Sequence, residues 1–168
     1  MRGAILTIAV CGLLAVAGCG GSDSSSSTGK SESSSAAPSG AAAEVGKKKP
    51  KVEVPSGPPP KKLEEKEIVE GGGPEAKSGD EVTVQYVGVG YKSKEQFDAS
   101  WDRGEPFTFA LGAGQVIPGW EEGIEGMKVG GRRELIIPGN LAYGPAGSPP
   151  AIGPNETLIF VVDLLGVK

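Results

Sequence analysis

Val116-Ile117-Pro118-Gly119-Trp120-Glu121-Glu122-Gly123 sets a tryptophan near the start of a short helix. Pro118 suits a first helical position, where its missing N–H is no loss, and the acids after it favour the positive end of the helix dipole. Trp120 and Ile124 stand four residues apart and share one face. The helical stretch is read as Gly119 to Met127, with Glu121, Glu122 and Glu125 exposed and given no acid–base role. To the N-terminal side, Tyr86 ends an alternating strand and Phe97-Asp98 falls in a loop-like segment. To the C-terminal side, Tyr143-Gly144 opens a Pro/Gly-rich loop. Together these pieces suggest an aromatic basin holding one carboxylate. The chain has no histidine, and no strong nucleophile accompanies the basin. Such a site suits chemistry of shape and dryness, without covalent catalysis.

The elements around that helix are strands. Val82, Val84 and Tyr86 alternate with Thr83 and Gln85, as in a strand with one buried face. Arg132 to Ile137 reads as a second strand and Thr157 to Val167 as a longer one, apolar on both faces and therefore placed centrally. Shorter strands are expected at Lys66 to Glu70 and Phe107 to Phe109. Frequent Gly and Pro punctuation with a single short helix gives an α+β fold: a curved antiparallel sheet of about five strands wrapped around that helix. Residues 63–168 form this domain, large enough to bury a modest core without disulfides.

The ordered landmarks resemble the FKBP-type peptidyl-prolyl cis-trans isomerase family. They run Val82-Thr83-Val84-Gln85-Tyr86-Val87-Gly88, Phe97-Asp98-Ala99-Ser100, Arg103-Gly104-Glu105-Pro106-Phe107-Thr108-Phe109, Leu111-Gly112, and Gln115 through Gly123. They continue with Met127-Lys128-Val129-Gly130-Gly131-Arg132-Arg133, Leu141-Ala142-Tyr143-Gly144 and Asn155-Glu156-Thr157-Leu158-Ile159-Phe160. The resemblance implies an FKBP-like fold and acceleration of rotation about X–Pro bonds, with no cofactor and no metal. It implies Asp98, Tyr86, Tyr143 and Phe160 as catalytic residues. Phe97, Arg103, Phe107, Val116, Ile117, Trp120 and Ile152 would be substrate-binding. In this reading Trp120 is the floor for the proline ring, Tyr143 offers its hydroxyl to a substrate carbonyl, and Asp98 orients the peptide group, held by Tyr86 or Arg103. Taken singly, Trp120, Phe107 and Phe160 read as core and Asp98 as a turn residue; the joint order and spacing changes that reading. Phe109 stays in the core.

Some positions depart from the family pattern. Ser148 stands where many relatives carry histidine, and Ala151 where a larger aliphatic is common, while Ile152 keeps the second aliphatic position. Lys92 to Gln96 is a short flap without the long insertion of chaperone-like relatives, which favours a simple isomerase.

The N-terminal third reads differently. Arg2 followed by the apolar stretch Ala4 to Ala17 has the form of a signal peptide, too short to span a bilayer comfortably. Leu14-Ala15-Val16-Ala17-Gly18-Cys19 resembles a bacterial lipobox, which implies a signal peptide over 1–18 and a diacylglyceryl-modified Cys19. The alternative is an ordinary secretory signal with Cys19 incidental. Residues 19–62 are then the lipidated cysteine followed by a disordered linker, first Ser/Gly-rich and then Lys/Pro-rich. Residues 20–62 carry seven Lys/Arg against four Asp/Glu, whereas 63–168 carry nine against seventeen. A domain of that acidity is a poor candidate for nucleic-acid binding. The expected protein is an extracytoplasmic monomer, lipid-anchored to a bacterial membrane, whose partners are proline-containing polypeptides and possible macrolide inhibitors. A binding module for proline segments or a macrolide, with incidental turnover, is the competing reading. A solute-binding lipoprotein is a weaker one, since a single small domain has no second lobe to close over a ligand.

Overall fold

The strand read at Val82–Tyr86 runs four residues further than expected in the computed structural model, which describes residues 44–168. The expected signal peptide 1–18, Cys19 and the stretch to residue 43 lie outside the described residues. The strands are β1 (Glu64–Val69), β2 (Glu81–Gly90), β3 (Gln96–Ala99), β4 (Phe107–Ala110), β5 (Arg132–Ile137) and β6 (Leu158–Val167). Two helices accompany them, the single turn α1 (Ser100–Arg103) and α2 (Pro118–Ile124). The sheet has six strands, all pairs antiparallel, in the order β1-β5-β6-β2-β3, with β4 also paired to β2. β6 is thus the central strand, as its two apolar faces require.

Two expectations need correction. Tyr86 does not end β2 but lies in its middle, because Gly88 and Gly90 continue the pairing with β6 up to Leu158. Phe97-Asp98 is not a loop but part of β3. The register steps from Gly88↔Asp98 to Val89↔Gln96, leaving Phe97 as the extra residue of a β-bulge. A bulge lets two consecutive side chains face the same way, and that hides the alternation on which a strand reading depends.

α2 begins at Pro118, as the sequence predicts, and ends at Ile124, short of Met127. It sits on the concave face of the sheet over β5, and two glycines allow the approach. A Cβ on Gly119 would stand 2.3 Å from Ile137 Cγ2, and one on Gly123 would stand 2.7 Å from Leu135 Cδ2. Trp120 and Ile124 share the helix face that joins the main core, with Val82, Val84, Tyr86, Leu135, Phe160 and Leu164.

The last part of the expected linker is also corrected. Residues 44–62 lie along the reverse face of the sheet. Val52 and Val54 pack against two buried clusters there, Val87/Val89/Ala99 and Tyr91/Ile136/Ile159. Lys51 and Glu53, between and beside the valines, are exposed, so the segment has the alternation of an extended chain with one covered side. Its start is clamped by a buried ion pair. Arg132 reaches Asp163 through Nε and Nη2 at 2.6 and 2.7 Å, and the Gly46 N–H donates to Asp163 Oδ2 at 2.7 Å. Arg132 Nη2 also donates to the carbonyls of Lys48 and Glu44. Apolar burial and satisfied buried charge together hold this stretch, which composition alone reads as solvated linker.

Candidate functional site

Register decides which side chains meet. On the concave face, Phe160 of β6, Gly88 of β2 and Asp98 of β3 lie side by side in adjacent strands. Directly paired residues project to the same side of a sheet. Gly88 leaves the middle of that row open: a Cβ there would be 2.7 Å from the Phe97 ring and 2.8 Å from the Phe160 ring. Tyr86 stands two residues along the same strand. The row faces α2, which delivers Trp120 to its far side.

These groups enclose an open cavity of about 350 Å³, lined by Tyr86, Phe97, Asp98, Phe107, Gln115, Val116, Ile117, Trp120, Tyr143 and Phe160. Trp120 is only 4% exposed, yet its ring is part of the wall of this hollow. The rings around it stand nearly upright. Tyr86 meets the indole at 83° with centroids 4.9 Å apart, and Phe160 meets it at 85° and 5.2 Å. Phe107 closes another side at 67° and 6.2 Å. Such edge-to-face contacts are favourable in themselves, and here they shape a cup with the indole as its base.

The polar part of the site is compact. The Tyr86 hydroxyl donates to Asp98 Oδ2 at 2.5 Å. Arg103 Nη1 donates to Asp98 Oδ1 at 2.5 Å, and Arg103 Nη2 donates to the Tyr86 oxygen at 2.9 Å. The guanidinium carbon also lies 5.5 Å from the centre of the Tyr86 ring. Burial, then the hydrogen bond to Asp98, pushes the Tyr86 phenol above its ordinary pKa. Burial, and next the charge of Asp98, does the same for Tyr143. The hydrogen bond to Tyr86 raises Arg103, although burial opposes it. Both phenols are therefore neutral donors at physiological pH. Among the described residues, no group of three or more His, Cys, Asp or Glu is placed to hold a metal.

The sequence matches a known family. A model of the FKBP-type peptidyl-prolyl cis-trans isomerases matches residues 73–165, more than half of the chain. The chain belongs to that family. It is 59% identical over 120 residues to an FK506-binding protein of Streptomyces anulatus, covering 71% of this chain and 97% of the relative. A probable FK506-binding protein of Corynebacterium glutamicum is 50% identical over 117 residues, 70% of this chain and 97% of its own. The crystal structure of FkpA from Escherichia coli superimposes with a TM-score of 0.58 at 47% identity. That likeness covers 63% of this chain and 48% of FkpA, so the chain spans about half of FkpA's length. Prolyl isomerisation is the activity of this FKBP family.

Most of the expected site residues meet at this cavity. Tyr86, Phe97, Asp98, Phe107, Val116, Ile117, Trp120, Tyr143 and Phe160 all line it. Two of the expected substrate-binding residues do not. Ile152 is buried in the main core at 5% exposure, because its loop folds back through paired hydrogen bonds with Ser148. Arg103 lies behind the cavity wall and acts on Asp98 and Tyr86. Phe109 is buried as expected, stacked on Phe107 with centroids 5.4 Å apart. Gln115 is a rim residue that sequence reading passed over; its carbonyl oxygen accepts from the Ala110 N–H at 3.2 Å. Glu121 is more than an exposed helical acid. Its carboxylate accepts from the backbone N–H groups of Gly112 and Gly114, tying the loop before the helix to α2.

Proposed function

We propose that this cup accelerates X–Pro rotation without covalent chemistry, by desolvation and by fitting the twisted imide better than either planar form. Unaided rotation faces a barrier of about 18–20 kcal/mol, because nitrogen lone-pair density is shared with the carbonyl. In the twisted form that sharing is lost and charge separation falls, so a site drier than water favours it. Each 1.4 kcal/mol of such preference gives about tenfold in rate. The observation that carries this reading is the cavity itself, floored by Trp120 and rimmed by Tyr86, Asp98, Tyr143 and Phe160. Its volume of about 350 Å³ stands at the small end of ligand pockets, roughly 300–1,000 Å³, which suits a prolyl ring with parts of its neighbours.

In this reading the proline ring rests on the indole. Asp98 is the single charge at the wall and orients the peptide group, fixed in place by Tyr86 and Arg103. Tyr143, which is 42% exposed, stands at the mouth and gives its hydroxyl to a substrate carbonyl. The same cup would admit a macrolide, in keeping with relatives named FK506-binding proteins. The proposed substrates are proline-containing exported polypeptides. The proposed setting is extracytoplasmic, with a lipid on Cys19 holding a monomeric domain to a bacterial membrane. Supporting that setting are the apolar stretch Ala4 to Ala17 and the lipobox-like Leu14 to Cys19.

A protease-coupled assay on an X–Pro peptide tests the catalytic reading. Acceleration by the wild-type protein, suppressed by FK506, is expected; a wild-type protein that leaves the uncatalysed rate unchanged would refute it. Membrane fractionation tests the anchor. Cys19→Ala should release the protein, and unchanged membrane association would remove the lipid from the account.

A further inference from the structure

The turn α1 carries Arg103 to the site, yet it is a single helical turn of four residues, Ser100–Arg103. An isolated turn of that length has no stability of its own, so its position must come from what touches it. Each of its residues has a fixed partner. Ser100 is buried: its Oγ accepts the Tyr86 N–H at 2.8 Å and donates to the Gln85 side-chain carbonyl. Trp101 packs against the reverse-face cluster Val87/Val89/Ala99, the same cluster that Val52 and Val54 cover. Asp102 accepts from Gln96 Nε2 at 2.6 Å and from Lys49 Nζ at 2.5 Å. Arg103 then turns inward to Asp98 and Tyr86. Of these four anchors, the middle two, at Trp101 and Asp102, involve the segment 44–62.

The two sides of the sheet are connected through single residues. Asp98 faces the cup, and Ala99 beside it is buried under Val52 and Val54. Tyr86 faces the cup, and Val87 beside it lies in that same covered cluster. We propose that Lys49, Val52 and Val54 form a brace: they are positioning residues that hold α1 and the β2–β3 edge from behind, so that Arg103 keeps Asp98 and Tyr86 in register with the cup. The Streptomyces relative is consistent with this role. Its 120-residue match is longer than the 106 residues of 63–168, so the similarity must extend into the segment 44–62. The inference rests on the reading of the cup as the isomerase site.

The test uses the full chain with Lys49→Glu and Val52→Asp, singly and together, and with Asp102→Lys alone and combined with Lys49→Glu. Val82→Ala, a core truncation at the opposite end of β2, serves as a control for lost stability. Measured are the thermal midpoint, kcat/KM well below that midpoint, and the titration of Tyr86 followed by NMR on tyrosine labelled at 13Cζ. The brace predicts a fall in kcat/KM of about three- to tenfold for Lys49→Glu with Val52→Asp, a size set by orientation alone. It also predicts a moved Tyr86 titration, and recovery of both readouts in the charge-swapped Lys49→Glu/Asp102→Lys protein relative to Lys49→Glu and Asp102→Lys alone. Val82→Ala should lower the midpoint and leave both unchanged. Lower midpoints with unaltered kcat/KM and an unmoved Tyr86 titration across the brace variants would overturn the inference, leaving a stabilising strap alone. A wild-type protein without isomerase activity would instead overturn the reading beneath it.

Discussion

Tyr86 donates its hydroxyl to Asp98 at 2.5 Å while Arg103 holds both groups from behind. This triangle places the carboxylate at the cavity wall without leaving it free to rotate. Its ion pair is half-exposed, with side-chain exposures of 43% and 42% for Arg103 and Asp98, so solvent screens it and its effect on stability is small. Its consequence is positional. Tyr86→Phe removes the phenol and leaves the ring contact with Trp120. We expect kcat/KM to fall by about three- to tenfold, with an unfolding cost of about 1 kcal/mol from the lost hydrogen bond. Stopped-flow isomerisation together with urea denaturation checks both.

The same phenol sets a pH limit. Its folded pKa lies above the unfolded value because burial and the Asp98 bond favour the protonated form. A group raised in this way contributes stability that is fully present below the unfolded pKa, about 10 for tyrosine, and is lost as pH rises through the folded one. The Tyr86 contribution to stability should therefore be flat through neutral pH and decline only above about pH 10. Denaturation midpoints of wild type and Tyr86→Phe measured across that range should converge on the alkaline side and differ by a constant amount below it.

Gly88 is the position where the smallest change should do most harm to the cup. An added methyl would press on the Phe97 and Phe160 rings at 2.7 and 2.8 Å, so both must move. Gly88→Ala should cost about 1–3 kcal/mol, the usual range for overpacking. It should also lower kcat/KM by at least tenfold, because two walls of the cavity shift together. Activity measured well below the melting point separates the two effects.

Tyr143 offers the opposite case. Its hydroxyl has no hydrogen-bond partner among the described residues, and the residue is 42% exposed. Tyr143→Phe should leave the unfolding free energy within about half a kcal/mol of wild type, as for other surface changes. Its rate on an X–Pro peptide should still fall. A rate equal to wild type would remove the hydroxyl from the mechanism.

Behind the sheet, Arg132→Met would leave Asp163 buried with no counter-charge; its side chain is 1% exposed. Breaking a buried pair in this way costs about 3–5 kcal/mol. Urea denaturation should show that loss, and limited proteolysis should show earlier cleavage within 44–62, whose start the pair clamps through Gly46.

Much of this was legible in the residues. Pro118 and the acids after it marked α2, and the two apolar faces of Leu158–Val167 marked the centre of the sheet. Tyr86, Asp98, Trp120 and Tyr143 suggested the cup, and Phe160 joined it only through the resemblance to the family. The bulge at Phe97 was hidden because two neighbouring inward side chains cancel the period of a strand. Ile152 was expected to bind substrate because it keeps an aliphatic position of the family, and nothing local shows that its loop pairs back on Ser148. The strap was missed because lysines and prolines dominate 47–62, although Lys51-Val52-Glu53-Val54 does alternate. Its two valines acquire meaning only once the apolar reverse face they cover is known.

The central claim is that the cup lined by Asp98 and Phe160 is where the rotation barrier is lowered. NMR exchange spectroscopy on a short peptide with one X–Pro bond measures this directly, comparing wild type with Asp98→Val/Phe160→Ala, both verified as folded. The account predicts rapid cis–trans exchange cross-peaks with the wild-type protein and near-uncatalysed exchange with the double variant. Exchange at the wild-type rate in that folded variant would contradict it.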